Sequence, residues 1–323
     1  MKAFNAVQRL VLVGALMGLA SFVSAQQDYP NKPVRFVSPF PPGGSIDPLA
    51  RMAAGKLSEK WGQPAVVENR PGGNSIIGTD AVAKSAPDGY TFLVAGTPHV
   101  ITPLLMYTPY DAMKDFAPVA TLAKSRQVLV LNTSVPANTL QELIALAKSK
   151  PGELNFSSSG SGNTNHLASE LVCMLAGIKM QHVPYKGAGP AITDLLGGQV
   201  QLSFHVPISV IGHIKAGKLK AIAVAGEPRL PALPQVPTMA EAGLPEFKLQ
   251  GWIGILAPAG TPKLIIDKTS AEIAKILASA EIHEKLVSQG IEPLISTPEQ
   301  FAALLKADMA LFAKIIKQAN IKM

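Results

Sequence analysis

The sequence predicts an α/β fold of two lobes that face each other across a cleft. Three observations carry this expectation. Strand-like and helix-like segments alternate along almost the whole chain, which implies parallel sheets with helices on both faces. A length of 323 residues is more than one compact core usually holds. Small, polar, glycine-bearing loops follow strands at four places, two in each expected lobe.

Taken in order, "VRFVSPF" is a strand, Leu49 to Trp61 a helix and "AVVENR" a short strand, with the turn "PGGNSIIG" and the helix "TDAVAKSA" after it. Asp88-Gly89 signals the turn that opens a third strand, "DGYTFLVAG". "TPHVITPLLM" and an irregular stretch separate it from the strand "QVLVLN" and the helix "TLQELIALAKSK", which Pro151-Gly152 closes. "LNFSSSGSGNTNH" repeats the passage from strand to glycine loop. It leads into a helix whose spacing points Cys173, Leu167, Leu171 and Leu175 at a core. "HVPYKGAGPAITDLLGGQVQLSFHV" reads as strand, glycine turn, short helix with Pro190 at its start, Gly-Gly stop and strand. The strand-like "LKAIAVAG" follows. "GWIGILAPAGTP" holds the last strand, and two amphipathic helices, Lys263 to Gln289 and Pro298 to Ala319, complete the chain.

A crossover is expected near Ser125 to Val128 and a return near Leu244 to Gly251. The first lobe is then 26–126 plus 247–323 and the second 127–246, with two strand connections as the hinge and the ligand cleft between them.

The first residues belong to neither lobe. Lys2 and Arg9 precede an uncharged apolar run from Leu10 to Val23 and the small-residue ending Val23-Ser24-Ala25, the layout of a signal peptide, 1–25, cleaved after Ala25. The run would cover only about 21 Å as helix, short of a roughly 30 Å bilayer core. A soluble, exported protein is expected, and the lack of a cysteine after the cleavage site argues against a lipid anchor. A single cysteine allows no internal disulfide, so the core alone must stabilise the fold. Net charge is +7 without any basic run and aromatics are 6%, which disfavours nucleic acid and suits an anionic small molecule.

The loops say more. Beyond the carboxyl ends of parallel strands, helix starts offer unpaired N–H groups and a partial positive charge. Pro42-Gly43-Gly44-Ser45 sits at such a point. Asp47-Pro48 resembles an N-cap followed by proline, which would leave the N–H groups of Gly43, Gly44 and Ser45 for a ligand. "SSSGSGNTNH", Ser157 to His166, supplies hydroxyls, glycines and amides in the other lobe; Ala95 to His99 and Tyr185 to Pro190 add a loop to each side. No Walker A loop is present, and Gly160-Ser161-Gly162 has Asn165 where a dinucleotide fingerprint needs its third glycine. A carboxylate remains as the anion.

No reaction is specified. The histidines, at 99, 166, 182, 205, 213 and 283, show no metal-ligand spacing, and His283-Glu284 lacks the second histidine of H-E-x-x-H. Ser159-Gly160-Ser161-Gly162 lacks the leading glycine of a nucleophile elbow. No catalytic residue, metal or cofactor is expected.

Six blocks, "YPNKPVRFVSPFPPGGSIDPLAR", "VVENRPGGNSIIGTDAVAKSAPDGYTFL", "YDAMKDFAPVA", "FSSSGSGNTNHLASEL", "VPYKGAGPAITDLLGGQVQLSF" and "GWIGILAPAGTP", together resemble the Bug family of extracytoplasmic solute receptors of tripartite tricarboxylate transporters. The resemblance implies a two-lobed periplasmic-binding-protein type II-like fold, each lobe a mixed, mostly parallel sheet flanked by helices. It also implies a monomeric receptor that closes on a small carboxylate and delivers it to membrane permease subunits. An exported sensor co-receptor, or an enzyme acting on a carboxylate on the same scaffold, is the alternative. Carried onto this chain, the family's site comprises Phe40, Pro42, Gly43, Gly44 and Asp47, then Ser159, Gly160, Ser161, Gly162, Asn163 and His166, with Thr97, His99 and Ala188 as further contacts. "AGTPHVITPLLM" is less typical of the family, and His205, a further expected ligand contact, stands where many relatives have an acid or amide; both segments are expected to face the middle of the ligand.

Overall fold

The computed structural model describes residues 29–44, 46–318 and 321. The expected signal peptide, its cleavage site and Ser45 lie outside these residues.

Strands β1 (Val34–Ser38), β2 (Ala65–Asn69), β3 (Thr91–Gly96), β4 (Phe116–Ser125), β10 (Gly251–Pro258) and β11 (Glu292–Pro293) form one sheet in the order β11-β4-β10-β3-β1-β2. A second sheet has the order β7-β6-β8-β5-β9, from β5 (Val128–Asn132), β6 (Asn155–Ser158), β7 (Gln181–Pro184), β8 (Leu202–His205) and β9 (Leu219–Val224). β1 is parallel to β2 and β3, and β6 to β7 and β8. In each sheet a crossover strand breaks the pattern: β10 is antiparallel to β3 and β4, and β5 to β8 and β9. The cause is topological. Both follow a connection from the other lobe, so they start at the cleft where the other strands end. The sheets are therefore mixed, and the lobes share two connections.

Side chains alternate along the strands, and both faces are covered. In the first sheet Phe36, Phe92 and Val94 point toward helices α1 (Ile46–Trp61) and α8 (Lys263–Ala278), against Leu49, Leu57 and Ile273. Val37, Leu93 and Ala95 point the other way. They join a cluster with Val82 of α2 (Ile76–Ala83), Ile101 of α3 (Pro98–Leu105) and Phe301 and Phe312 of α10 (Pro298–Gln318). The second sheet divides likewise. Leu129 and Leu131 share a core with Leu143 of α4 (Leu140–Ser149) and Leu167 of α5 (Thr164–Ala176). Val128 and Val130 pack with Leu195 of α6 (Ala188–Leu196) and Val210 of α7 (Pro207–Lys215). Each such side chain contributes about 1.5–3 kcal/mol by burial.

Several elements differ from expectation for identifiable reasons. α1 starts at Ile46, not Leu49. "TPHVITPLLM", to which no element is assigned from sequence, contains α3, and the stretch read as irregular contains β4. β4 is buried along nearly its whole length, so no alternation marks it, and its Pro118 lies at a register shift against β10. α7 begins with Pro207 directly after β8, too short a helix to stand out. Ser279, in extended conformation, divides the first C-terminal helix into α8 and α9 (Ala280–Ser288).

α10 touches α3 and β4 in its own lobe and α5 in the other. On it, burial pushes the Asp308 carboxyl up to about 6, only partly offset by the nearby Trp252 indole N–H, which falls short of a formed hydrogen bond. A carboxyl raised in the folded state stabilises the fold fully below the unfolded value and loses that contribution as pH rises toward about 6. Asp308→Asn is expected to raise stability at neutral pH by about 1–2 kcal/mol and to flatten the pH dependence across that window. Urea titrations from acid to neutral pH check this; a variant no more stable than the parent at neutral pH would show that Asp308 is already relieved by solvent.

Candidate functional site

Strand ends from both lobes, and the helices that follow them, converge on a cavity of about 880 Å³. Six helix starts contribute to its wall: Gly44 and Ile46 at α1, Ser75 and Ile76 at α2, Thr97 and Pro98 at α3, Asn163 and Thr164 at α5, Gly187 and Ala188 at α6, and Val206 at α7. Each start brings donors without intrahelical partners and the positive end of a helix dipole. Among the described residues the wall contains no Asp or Glu, and its one formally charged side chain is Lys186. The cavity thus favours an anion, chiefly through fixed dipoles.

Phe40, Pro42, Gly44, Thr97, Ser159, Asn163, Ala188 and His205 line this cavity. Gly43, Asp47, His99, Gly160, Ser161, Gly162 and His166 are not in its wall, and the structure gives each another role.

Asp47 lies inside the first turn of α1 instead of capping it. Its carboxylate accepts hydrogen bonds from Asn69 Nδ2 and Arg51 Nε, both at 3.0 Å, and the Gly43 N–H faces it. Burial alone would raise this carboxyl; the bonds from Arg51 and Asn69 outweigh it and hold the group below its ordinary value. Asn69 also donates to the Phe40 carbonyl at 3.1 Å. Asp47 therefore braces the first loop from behind, and Gly43 N–H is directed at it, not held free for a ligand.

His99 is buried, stacks on Tyr110 and meets the edge of Phe116. Its Nε2–H donates to the Ala112 carbonyl at 2.9 Å. Burial pulls the ring down to about 4, so it is a neutral core histidine.

The distal loop spends most of its expected donors on itself. Ser159 N–H donates to Asn165 Oδ1 (3.3 Å), Gly160 N–H to Ser158 Oγ (3.2 Å), Gly162 N–H to His166 Nδ1 (3.0 Å) and Asn163 N–H to the Gly160 carbonyl (3.2 Å). His166 is a brace, stacked on His182 with the two imidazoles 3.9 Å apart and with Phe156 stacked near both. The N–H groups of Asn74, Ser75, Thr164 and Ala188 engage no acceptor among the described residues.

Sequence reasoning missed one wall of the site, the loop from Pro71 to Ile76. Its signal was present in Gly72-Gly73-Asn74 after a strand. Asn74 and Ser75 both hold left-handed backbone, with φ of 51° and 75°, which is costly for residues with a side chain. Asn74 Nδ2 donates across the cleft to the Ser161 carbonyl at 2.8 Å, so Ser161 serves as an interlobe contact. Ser125, Gln127 and Trp252, from the two connections, complete the floor. Cys173 is no nucleophile: burial, then the nearby Glu170, pushes its thiol up to about 12.

Residues 49–321 match the model of the tripartite tricarboxylate transporter family receptor. The chain is 38% identical to protein BugT of Bordetella pertussis over 99% of both chains. Among solved structures it is similar to R. palustris Rpa4515 with adipate (35% identity, TM-score 0.88, 91% of this chain and 99% of that one). It is also similar to MatC (Rpa3494) from Rhodopseudomonas palustris with bound malate (31%, 0.82, 89% and 100%).

Proposed function

The chain belongs to the tripartite tricarboxylate transporter receptor family, and from that premise we propose that it captures a small organic carboxylate in the interlobe cavity and presents it, enclosed, to membrane permease subunits. The ligand class is a di- or tricarboxylate or an aromatic carboxylate; the relatives solved with adipate and malate support it. The observation that carries the proposal is the convergence of helix starts from both lobes on a cavity without acidic side chains among the described residues. A ligand with a carboxylate at each end can engage both lobes, and only a bridging ligand stabilises closure. The energetics agree: micromolar binding needs about 8 kcal/mol, and each hydrogen bond to a charged group contributes roughly 1.5–3 kcal/mol.

Phe40, Gly44, Asn74 and Ser75 would hold one end from the first lobe, and Ser159, Asn163, Thr164 and Ala188 the other from the second. The lobes are 26–126 plus 247–323 and 127–246. Motion occurs at the connections near Arg126 and before Gly251, in a monomer that works in the periplasm after cleavage following Ala25. Chemistry on the ligand forms no part of this role.

A thermal-shift panel of dicarboxylates, tricarboxylates and aromatic carboxylates, with product analysis by mass spectrometry, tests the proposal. At least one acid is expected to raise the melting temperature by several degrees and to be recovered unchanged. Conversion of the stabilising acid to a product would replace the receptor with an enzyme.

A further inference from the structure

The cavity floor holds two neutral polar side chains, each with a buried atom that has no bonding partner among the described residues. Gln127 lies in the connection between β4 and β5, and His205 ends β8, where it pairs with Val128. Each is 3% exposed, and both line the cavity. Gln127 Oε1 and His205 Nε2 have no hydrogen-bond partner among the described residues. Buried polar atoms are nearly always paired, so two orphans on residues that line one cavity point to a partner that arrives with the ligand.

The chemistry of that partner follows from what surrounds them. Burial pulls the His205 ring down to about 4, so at neutral pH it offers one donor and one acceptor, while the Gln127 amide offers two donors and an acceptor oxygen. No cation serves the floor. Arg126, the neighbour of Gln127, spends its guanidinium on the carbonyls of Ala225, Gly226 and Pro228. A methylene here would leave both orphans dry, and a carboxylate would be buried without a counter-charge. A hydroxyl both donates and accepts, so it suits either orphan whichever role that atom takes.

We infer that Gln127 and His205 form a subsite that reads the middle of the ligand and selects a dicarboxylate carrying a hydroxyl on its central carbons. This goes beyond the carboxylate reading above and rests on it.

Isothermal titration calorimetry with matched acids separates the two. The probes are glutarate, glutarate hydroxylated at its central carbon, tricarballylate (which carries a carboxylate there), adipate, and adipate hydroxylated in mid-chain. The hydroxylated acid is expected to bind about tenfold or more tightly than its parent, and tricarballylate more weakly than glutarate. His205→Phe and Gln127→Met, checked for folding by circular dichroism, are expected to reduce that preference to about twofold or less. Equal binding of parent and hydroxylated acids by the unmodified protein, or a preference that survives both substitutions, would overturn the subsite and leave the receptor standing. Binding of none of these acids would overturn the subsite, while the carboxylate reading falls only if the wider thermal-shift panel of dicarboxylates, tricarboxylates and aromatic carboxylates also shows no stabilisation.

Discussion

Gly160→Val is expected to abolish ligand binding, lowering affinity by about a hundredfold or more, while the protein remains folded. Gly160 holds φ of +134°, outside the range where a β-branched residue is comfortable. A side chain there meets more than its own loop. A Cβ would sit 2.9 Å from Asn163 Nδ2 and 2.9 Å from Asn74 Oδ1, with the Tyr185 carbonyl 3.6 Å away. Asn74 belongs to the opposite lobe, so valine would act as a wedge that holds the cleft open and displaces the Asn74 contact to Ser161. Gly43→Val is the control. Gly43 has φ of +81° but nothing within 4 Å of its Cβ position, so its cost is backbone strain of about 1–2 kcal/mol in stability, with affinity changed less than about fivefold. Calorimetry with whichever acid stabilises the unmodified protein, beside thermal melts of both variants, checks the pair. Gly160→Val with undiminished affinity would mean that the closed arrangement is not the binding state.

The contrast between these glycines shows what the sequence could and could not reveal. Strand, turn and helix were legible wherever an apolar run met glycine, as at Phe36 to Gly44 and Phe156 to Gly162, because burial and backbone freedom are local properties. The two lobes followed from the same alternation. Direction was not legible. Gly43, Gly162 and His166 are polar groups in the expected loops, yet Asp47 draws the first inward and the other two bond each other at 3.0 Å. Whether a donor faces a ligand or its own loop depends on partners far apart in sequence, such as Asn69 for Asp47 and Asn74 for Ser161. His99 illustrates the same limit: a histidine beside a site and one two residues deep in the core look alike until Ala112, Tyr110 and Phe116 are placed around it.

Arg126→Met is expected to cost about 3 kcal/mol of stability. Arg126 is 3% exposed and sits between the two lobes' connections. Its Nε donates to the Ala225 carbonyl at 2.9 Å and its Nη2 to the carbonyls of Gly226 (2.8 Å) and Pro228, all in the segment that carries the chain back toward β10. Methionine fills similar volume and removes the cost of burying a guanidinium, but it leaves the buried Ala225 carbonyl unsatisfied at roughly 1–3 kcal/mol and strips a charged donor from the carbonyls of Gly226 and Pro228, which solvent reaches. Glu292, 3.7 Å from Arg126, keeps its pair with Lys124, so the loss reports the carbonyls more than the charge. Arg126→Lys should recover less than half of it, because one ammonium cannot span the fork of a guanidinium. Urea denaturation measures both variants. Methionine at wild-type stability would show that water replaces the guanidinium without penalty, and the two connections would then be independent strands instead of one braced hinge.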